Sequence, residues 1–312
     1  MIWGDIIMTD LTKETLDKLY KKQKRMFSAC WIITIAVIFI SDIARAALFD
    51  VFPDSKKLLN AIILIIDIMP FIYIGYAWKT LIPAGNGKIV KKAFKVLQKD
   101  FTSDSTVDML YRSVGQAVKY PERVRLTLLI ANTQSIRGNI NEALQLLYSV
   151  DRSGFDKYPD VGMSFYGEII ETYSHVGDND SVLRAFEDGK RFIETAAEKN
   201  YNCCTSAFAI MINVEKARGN YRKALDMRLI KNEYDNLFNS SEGASQQGTS
   251  LNRFLKGGVF METAELFYLC GDIDNAAKYL DIGGPMLSAS PAETERANKL
   301  SEKIREAMAQ RA

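Results

Sequence analysis

Hydrophobicity is distributed unevenly along the chain. Two runs near its start, residues 27–49 (FSACWIITIAVIFISDIARAALF) and 60–82 (NAIILIIDIMPFIYIGYAWKTLI), are almost wholly apolar. At 1.5 Å per helical residue, each is long enough to cross a hydrocarbon core about 30 Å thick. From about Lys88 the pattern changes to that of amphipathic helices: Val107, Leu110, Tyr111, Val114 and Val118 keep to one helical face. Asp104 stands where it can cap that helix, and Pro121 suits the first turn of the next. No segment alternates with strand period between hairpin turns. The expected fold is all-α: a transmembrane pair of helices, then helical hairpins.

The charges that flank the two runs set an expected topology. Lys13, Lys18, Lys21, Lys22, Lys24 and Arg25 precede the first run, and Lys79, Lys88, Lys91, Lys92, Lys95 and Lys99 follow the second. Only Lys56 and Lys57 lie between, offset by Asp50 and Asp54. The positive-inside bias places both termini in the cytoplasm and makes the runs a two-span hairpin. Thr12 to Lys24 reads as a charged helix, and Met8 is an alternative start. A cleaved signal peptide is the rival: Ala29–Ile40 has the right apolar length and Ala44-Arg45-Ala46 imitates a cleavage site. The long charged leader and the Arg inside that site speak against it. Asp42, Arg45 and Asp67 lie within the spans, where ionisable groups often mark ion or substrate paths. The plainer expectation is that Asp42 and Arg45 pair at i,i+3 and that Asp67 reaches Arg45 across the hairpin. The organisation is then a cytoplasmic segment 1–26, a transmembrane hairpin 27–83, juxtamembrane basic helices 84–120 and a helical domain 121–312.

Within that last domain one phrase recurs: Gly138-Asn-Ile-Asn-Glu-Ala-Leu, Gly177-Asp-Asn-Asp-Ser-Val-Leu, Gly219-Asn-Tyr-Arg-Lys-Ala-Leu and Gly271-Asp-Ile-Asp-Asn-Ala-Ala. Gly is suited to end a helix in the left-handed conformation, and Asn or Asp to bond the turn that follows. The small residue five positions on (Ala143, Val182, Ala224 or Ala276) lets two helices approach closely. An amphipathic stretch lies upstream of each Gly (123–137, 163–176, 204–218 and 259–270), with another downstream (141–149, 181–198, 222–238 and 274–281).

Over residues 121–285 this pattern resembles the tetratricopeptide repeat family. Tyr166, Phe208 and Phe260 match its first-helix aromatic, with Thr127 in the first unit, and Tyr173 and Phe267 match the bulky position four before Gly, where Gln134 and Glu215 depart. The intervals between the glycines, 39, 42 and 52 residues, exceed the family's period of about 34. The resemblance implies a tetratricopeptide-like solenoid whose first helices line an inner groove. Its inward polar positions are Arg125, Asn132, Glu171, His175, Asn213, Lys216, Glu265 and Tyr268, the candidate protein-binding residues. Asn239–Ser250 (NSSEGASQQGTS) lacks any large apolar group and reads as a mobile loop, and Pro291–Gln310 as a polar helix capping the last repeat.

Composition removes several functions. Lys and Arg number 40 against 38 Asp and Glu, so no overall basic character points to nucleic acid. A single His makes a multi-histidine metal site impossible and a His-based triad improbable in pattern. The four Cys form no CxxC pair and fit a reducing compartment. Gly85-Asn86-Gly87-Lys88 resembles a phosphate loop only at its end: Ile82 replaces the first Gly and Ile89 the Ser/Thr, which leaves it a hinge. No enzyme, cofactor or metal is expected. The expected function is a membrane-tethered scaffold or adaptor for protein partners at the cytoplasmic membrane surface, with self-association left open. The alternatives are a subunit of a transport or secretion complex that uses the intramembrane charges, and a small-molecule sensor or enzyme.

Overall fold

The computed structural model describes residues 13–51, 56–81, 85–199, 201–234 and 249–311. Within them the chain is all-helical, with thirteen α-helices and no strand. Contacts divide it into two units: Thr12–Pro83 with Asn200–Asn202, and the remainder.

The first unit holds α1 (Lys13–Val51) and α2 (Lys56–Leu81), which pack against each other. The charged helix expected at 12–24 and the apolar run after it form one continuous helix, because nothing between Lys24 and Phe27 breaks helical backbone. Pro70 lies inside α2. Among the described residues one segment, Lys13–Phe49, is long and apolar enough to cross a membrane, its most apolar 18-residue window having a mean hydropathy of 2.1. Only 11% of its most apolar window is buried, whereas a core helix would be mostly covered. Ile32, Ile35, Phe39 and Ile40 of α1 and Leu58, Leu64, Ile65 and Ile72 of α2 are exposed. Arg45 pairs with Asp42 at 3.4 Å and with Asp67 at 3.5 Å, the two pairings expected from the sequence. The alternative start at Met8 lies outside the described residues.

The second unit opens with α3 (Lys88–Leu97) and α4 (Asp104–Gln116). Ser103, not Asp104, caps α4, its Oγ accepting from the Thr106 amide at 3.3 Å; Asp104 pairs instead with Arg137. The segment expected to be a hinge is docked: a Cβ on Gly85 would overlap the Pro121 carbonyl, and one on Gly87 the Glu122 carboxylate. Then come α5 (Tyr120–Ile136) and α6 (Ile140–Tyr148), α7 (Pro159–Val176) and α8 (Asn179–Ala197), α9 (Tyr201–Ala217) and α10 (Tyr221–Tyr234), and α11 (Ser250–Leu269) and α12 (Ile273–Gly283). A 3₁₀ turn (Gly284–Leu287) leads to α13 (Pro291–Ala309). The last first-helix begins at Ser250 rather than Val259, with Thr249 as its cap. The loop expected at 239–250 lies, up to residue 248, outside the described residues.

The four glycine turns share one geometry. Gly138, Gly177, Gly219 and Gly271 all adopt φ between +77° and +86°. In each, the next residue's amide donates to a carbonyl five positions back: Asn139 to Gln134, Asp178 to Tyr173, Asn220 to Glu215 and Asp272 to Phe267, at 2.9–3.1 Å. This closes the upstream helix as a Schellman motif. Ala143, Val182, Ala224 and Ala276 are fully buried behind the turns. The α7–α8 crossing is tighter than alanine would allow. A Cβ on Gly162 would meet Phe192 at 3.0 Å and one on Gly189 would overlap Tyr166, while the Tyr166 and Phe192 rings stack 5.9 Å apart. Gly257 and Gly283 do the same for α11 and α12: a Cβ on Gly283 would sit 2.7 Å from that of Phe260.

The helix expected to cap the last repeat packs on α11, α12 and the 3₁₀ turn, and it also reaches back to the first pair. Ser290 Oγ donates to the Ile136 carbonyl at 2.6 Å, and a Cβ on Gly138 would lie 3.1 Å from that of Ala292. The rings of Phe101, between α3 and α4, and Phe254, on α11, are 4.9 Å apart. This helical unit therefore closes on itself.

Candidate functional site

Polar residues at helical spacing build an inner stripe. On α7, Ser164, Glu168, Glu171 and His175 follow at i, i+4, i+7 and i+11, so one face carries them all. Arg125 and Asn132 share a face of α5, and Asn213 and Lys216 one of α9. The structure sorts the eight groove candidates into three settings.

Arg125 and Asn132 stand on a cavity of about 570 Å³ between α3, α5 and α7. Arg125 donates from Nη1 to Ser164 Oγ at 2.6 Å and lies 3.5 Å from Asp160 Oδ2. Burial lowers its pKa, an effect that Asp160 partly opposes. Asn132 Nδ2 donates to Glu168 Oε1 at 3.0 Å. Glu168 has its pKa raised well above the ordinary value, first by burial and then by the charge of Glu171, against the hydrogen bond from Asn132. The floor of the cavity is apolar, made by Val90, Phe94, Leu128 and Leu129, and Lys91 and Lys95 of α3, Gln98 at its end and Asn86 just before it also line the space.

Glu171, His175 and Asn213 line a second cavity of about 230 Å³, bordered also by Asn132 and closed by α10, α11 and α13. Arg228 of α10 is buried there and pairs with Glu262 of α11. Burial raises the Glu262 pKa, but Arg228, His175 and Arg296 more than offset it, so the net shift is downward. Arg228 Nε and His175 Nδ1 are buried without a hydrogen-bond partner. Asn213 Oδ1 accepts from Ser174 at 3.2 Å.

Lys216 and Glu265 are bound to each other at 2.8 Å, and Arg296 of α13 adds a second bond to Glu265 at 3.0 Å. Tyr268, half-buried, borders neither cavity. The expected groove residues thus do not form one open array: part of the inner face is filled by the chain's own C-terminal helix. Sequence reading missed Arg228, Glu262, Glu293 and Arg296. The signal for the first was a buried-face arginine and asparagine, Arg228 and Asn232, at i,i+4 on the side of α10 that carries Ala224 and Leu225. The arginine of α13 gave no such sign.

Among the described residues, the bonds that join these side chains place no nucleophile beside an activating base. Cys203 and Cys204 are buried, and the Cys204 thiol is pushed up to about 12 by burial and by Cys203, which leaves it un-ionised. Among the described residues no group of three His, Cys, Asp or Glu side chains is placed to hold a metal ion. Compared with known proteins, the chain matches no family model, no curated protein and no solved structure.

Proposed function

We propose that the chain is a membrane-anchored platform whose tetratricopeptide-like helical pairs gather a protein partner at the cytoplasmic membrane surface. In this reading α1 and α2 are a two-span hairpin with both ends in the cytoplasm, and the helical unit is a short solenoid. The single observation that carries it is an apolar pair of helices with exposed isoleucine and leucine faces, joined in one chain to four helix pairs with one turn geometry. Tethering raises the effective concentration of the groove for partners on the same surface. The protein acts by binding and not by catalysis. The ion pairs of Arg45 with Asp42 and Asp67 give those charges partners of their own, which favours glue over a transport path.

Because Glu265 is held by both Lys216 and Arg296, a partner entering the inner face displaces α13. Affinity capture from gently solubilised membranes tests this. Asn213→Ala with Lys216→Ala should lose the partner, and Arg296→Ala, which releases α13 from Glu265, should gain it. Equal recovery from all forms would remove the groove from the account. Protease reaching the helix-pair turns only from outside intact cells would reverse the sidedness.

A further inference from the structure

We infer that the cavity between α3, α5 and α7 is a binding site for a single-chain anionic amphiphile, a long-chain fatty acid, with its acyl chain on Val90, Phe94, Leu128 and Leu129 and its carboxylate at Lys91 and Lys95. The size of the cavity, about 570 Å³, argues first. It falls within the roughly 300–1,000 Å³ usual for small-molecule sites. A partner helix about 10 Å across would exhaust it in little more than one turn, so the space suits a thin flexible chain and is too small for a peptide helix.

Its chemistry argues next. The polar groups of the back wall are already committed: Arg125 to Asp160 and Ser164, Asn132 to Glu168. The Arg125 charge is thus matched by Asp160, and burial pushes the Glu168 carboxyl toward its uncharged form. Lys91 and Lys95 are exposed and have no ion-pair partner among the described residues. At i,i+4 they stand one helical turn apart, beside Val90 and Phe94, also at i,i+4. An apolar floor with two unpaired ammonium groups selects a ligand with an apolar body and one negative end. Phe94, an aromatic on a helix whose other exposed residues are all lysines, then gains a reason to be there.

The site does not depend on the proposed membrane anchor, and the test separates the two. The full chain is mixed with phosphatidylcholine vesicles carrying a 16-carbon fatty acid with a photoactivatable diazirine in its chain. After illumination the adducts are mapped by peptide mass spectrometry. Adducts should fall in α3 and α5 around Phe94 and Leu129. Leu129→Trp, which fills the floor, should lower them at least fivefold. Lys91→Glu with Lys95→Glu should lower them about tenfold, while the two arginine substitutions retain them. These lysines are exposed, so the charge reversal remains informative even if the tryptophan variant fails to fold. Unlabelled palmitate should compete and hexadecanol should not. Equal competition by hexadecanol, or adducts confined to α1 and α2, overturns the inference. Flotation with the vesicles reports the anchor separately. A chain that floats yet takes no adduct in α3 and α5 loses the pocket alone, and one labelled there without floating loses only the anchor.

Discussion

At the position after each turn glycine, aspartate and asparagine play different parts. Asp178 and Asp272 accept from the backbone amides of Ser181 and Asn275, at 3.0 and 3.2 Å, and so cap the next helix. Four residues before those glycines stand Tyr173 and Phe267. Asn139 and Asn220 instead turn their Nδ2 donors back, to Gln134 Oε1 at 3.0 Å and Glu215 Oε2 at 2.8 Å. The polar side chains of Gln134 and Glu215, which stand where the other two turns have an aromatic ring, are thus each given a donor by the asparagine that follows the glycine. Glu215 is almost fully buried, and Arg218 and Lys223 also hold it, each at 3.0 Å. Burial pushes its pKa up, but the bonds from Asn220 and Lys223 and the nearby charges outweigh that, so the net shift is downward. A carboxylate with a lowered folded pKa stabilises the fold above its unfolded value of about 4.3. That contribution is lost as pH falls through the folded value. Asn220→Asp removes the donor and sets a second carboxylate against the first. It should cost about 1–3 kcal/mol at pH 7 in urea unfolding, and the cost should shrink as the pH is lowered and the two carboxylates take up protons. A cost that does not change with pH would show that charge is not its cause.

Between elements, the crossings are set by glycines that do not stand out in the chain. Gly189→Ala places a methyl group into Tyr166 and should destabilise α7–α8 by about 1–3 kcal/mol, seen as a lower melting midpoint with the helical signal intact. An unchanged midpoint would mean the pair parts at no cost. The turns themselves were legible in the sequence because each is a local event: glycine, then asparagine or aspartate, then a small residue, all within six positions. Gly162 and Gly189 meet Phe192 and Tyr166 only once the two helices have packed, and Lys216 finds Glu265 across 49 positions, so no local pattern announces either. The cavity beside α3 stayed hidden for another reason: Lys91 and Lys95 serve equally well as a topology signal, and only the packing of α3 near α5 shows the apolar floor beside them. The wall of that cavity carries its own prediction. Glu168 has a raised folded pKa, so its ionisation opposes folding as pH climbs above about 4.3. Glu168→Gln keeps an acceptor for Asn132 and should raise the melting midpoint at pH 7, with no gain at pH 4. A gain of equal size at both would point to packing instead of charge.

For the helical unit as a whole, the decisive contacts are those that join its end to its beginning. Ser290 bonds Ile136 across 154 positions, and Arg296 enters a set of charges supplied by α9, α11 and α13. Glu265 is held below its ordinary pKa because Lys216 and Arg296 outweigh its burial, and Arg296 is held above its own because Glu265, Glu293 and Glu262 do the same. Each charge is therefore tolerated inside the unit only while the others are in place, which makes closure cooperative. Removing one member should release more than its own bond. Arg296→Ala should cost roughly 1–3 kcal/mol by leaving Glu265 and Glu293 short of a partner, and hydrogen exchange locates where that energy is lost. Amides of α13 should exchange faster, and those of residues 133–139, which meet the start of α13 at Ser290 and Ala292, should speed up with them. Glu265→Gln added to Arg296→Ala should recover part of the loss, since it removes the carboxylate left without its arginine. If α13 loosens while residues 133–139 keep full protection, the C-terminal helix is only a cap on the last pair and the unit is not held closed through it.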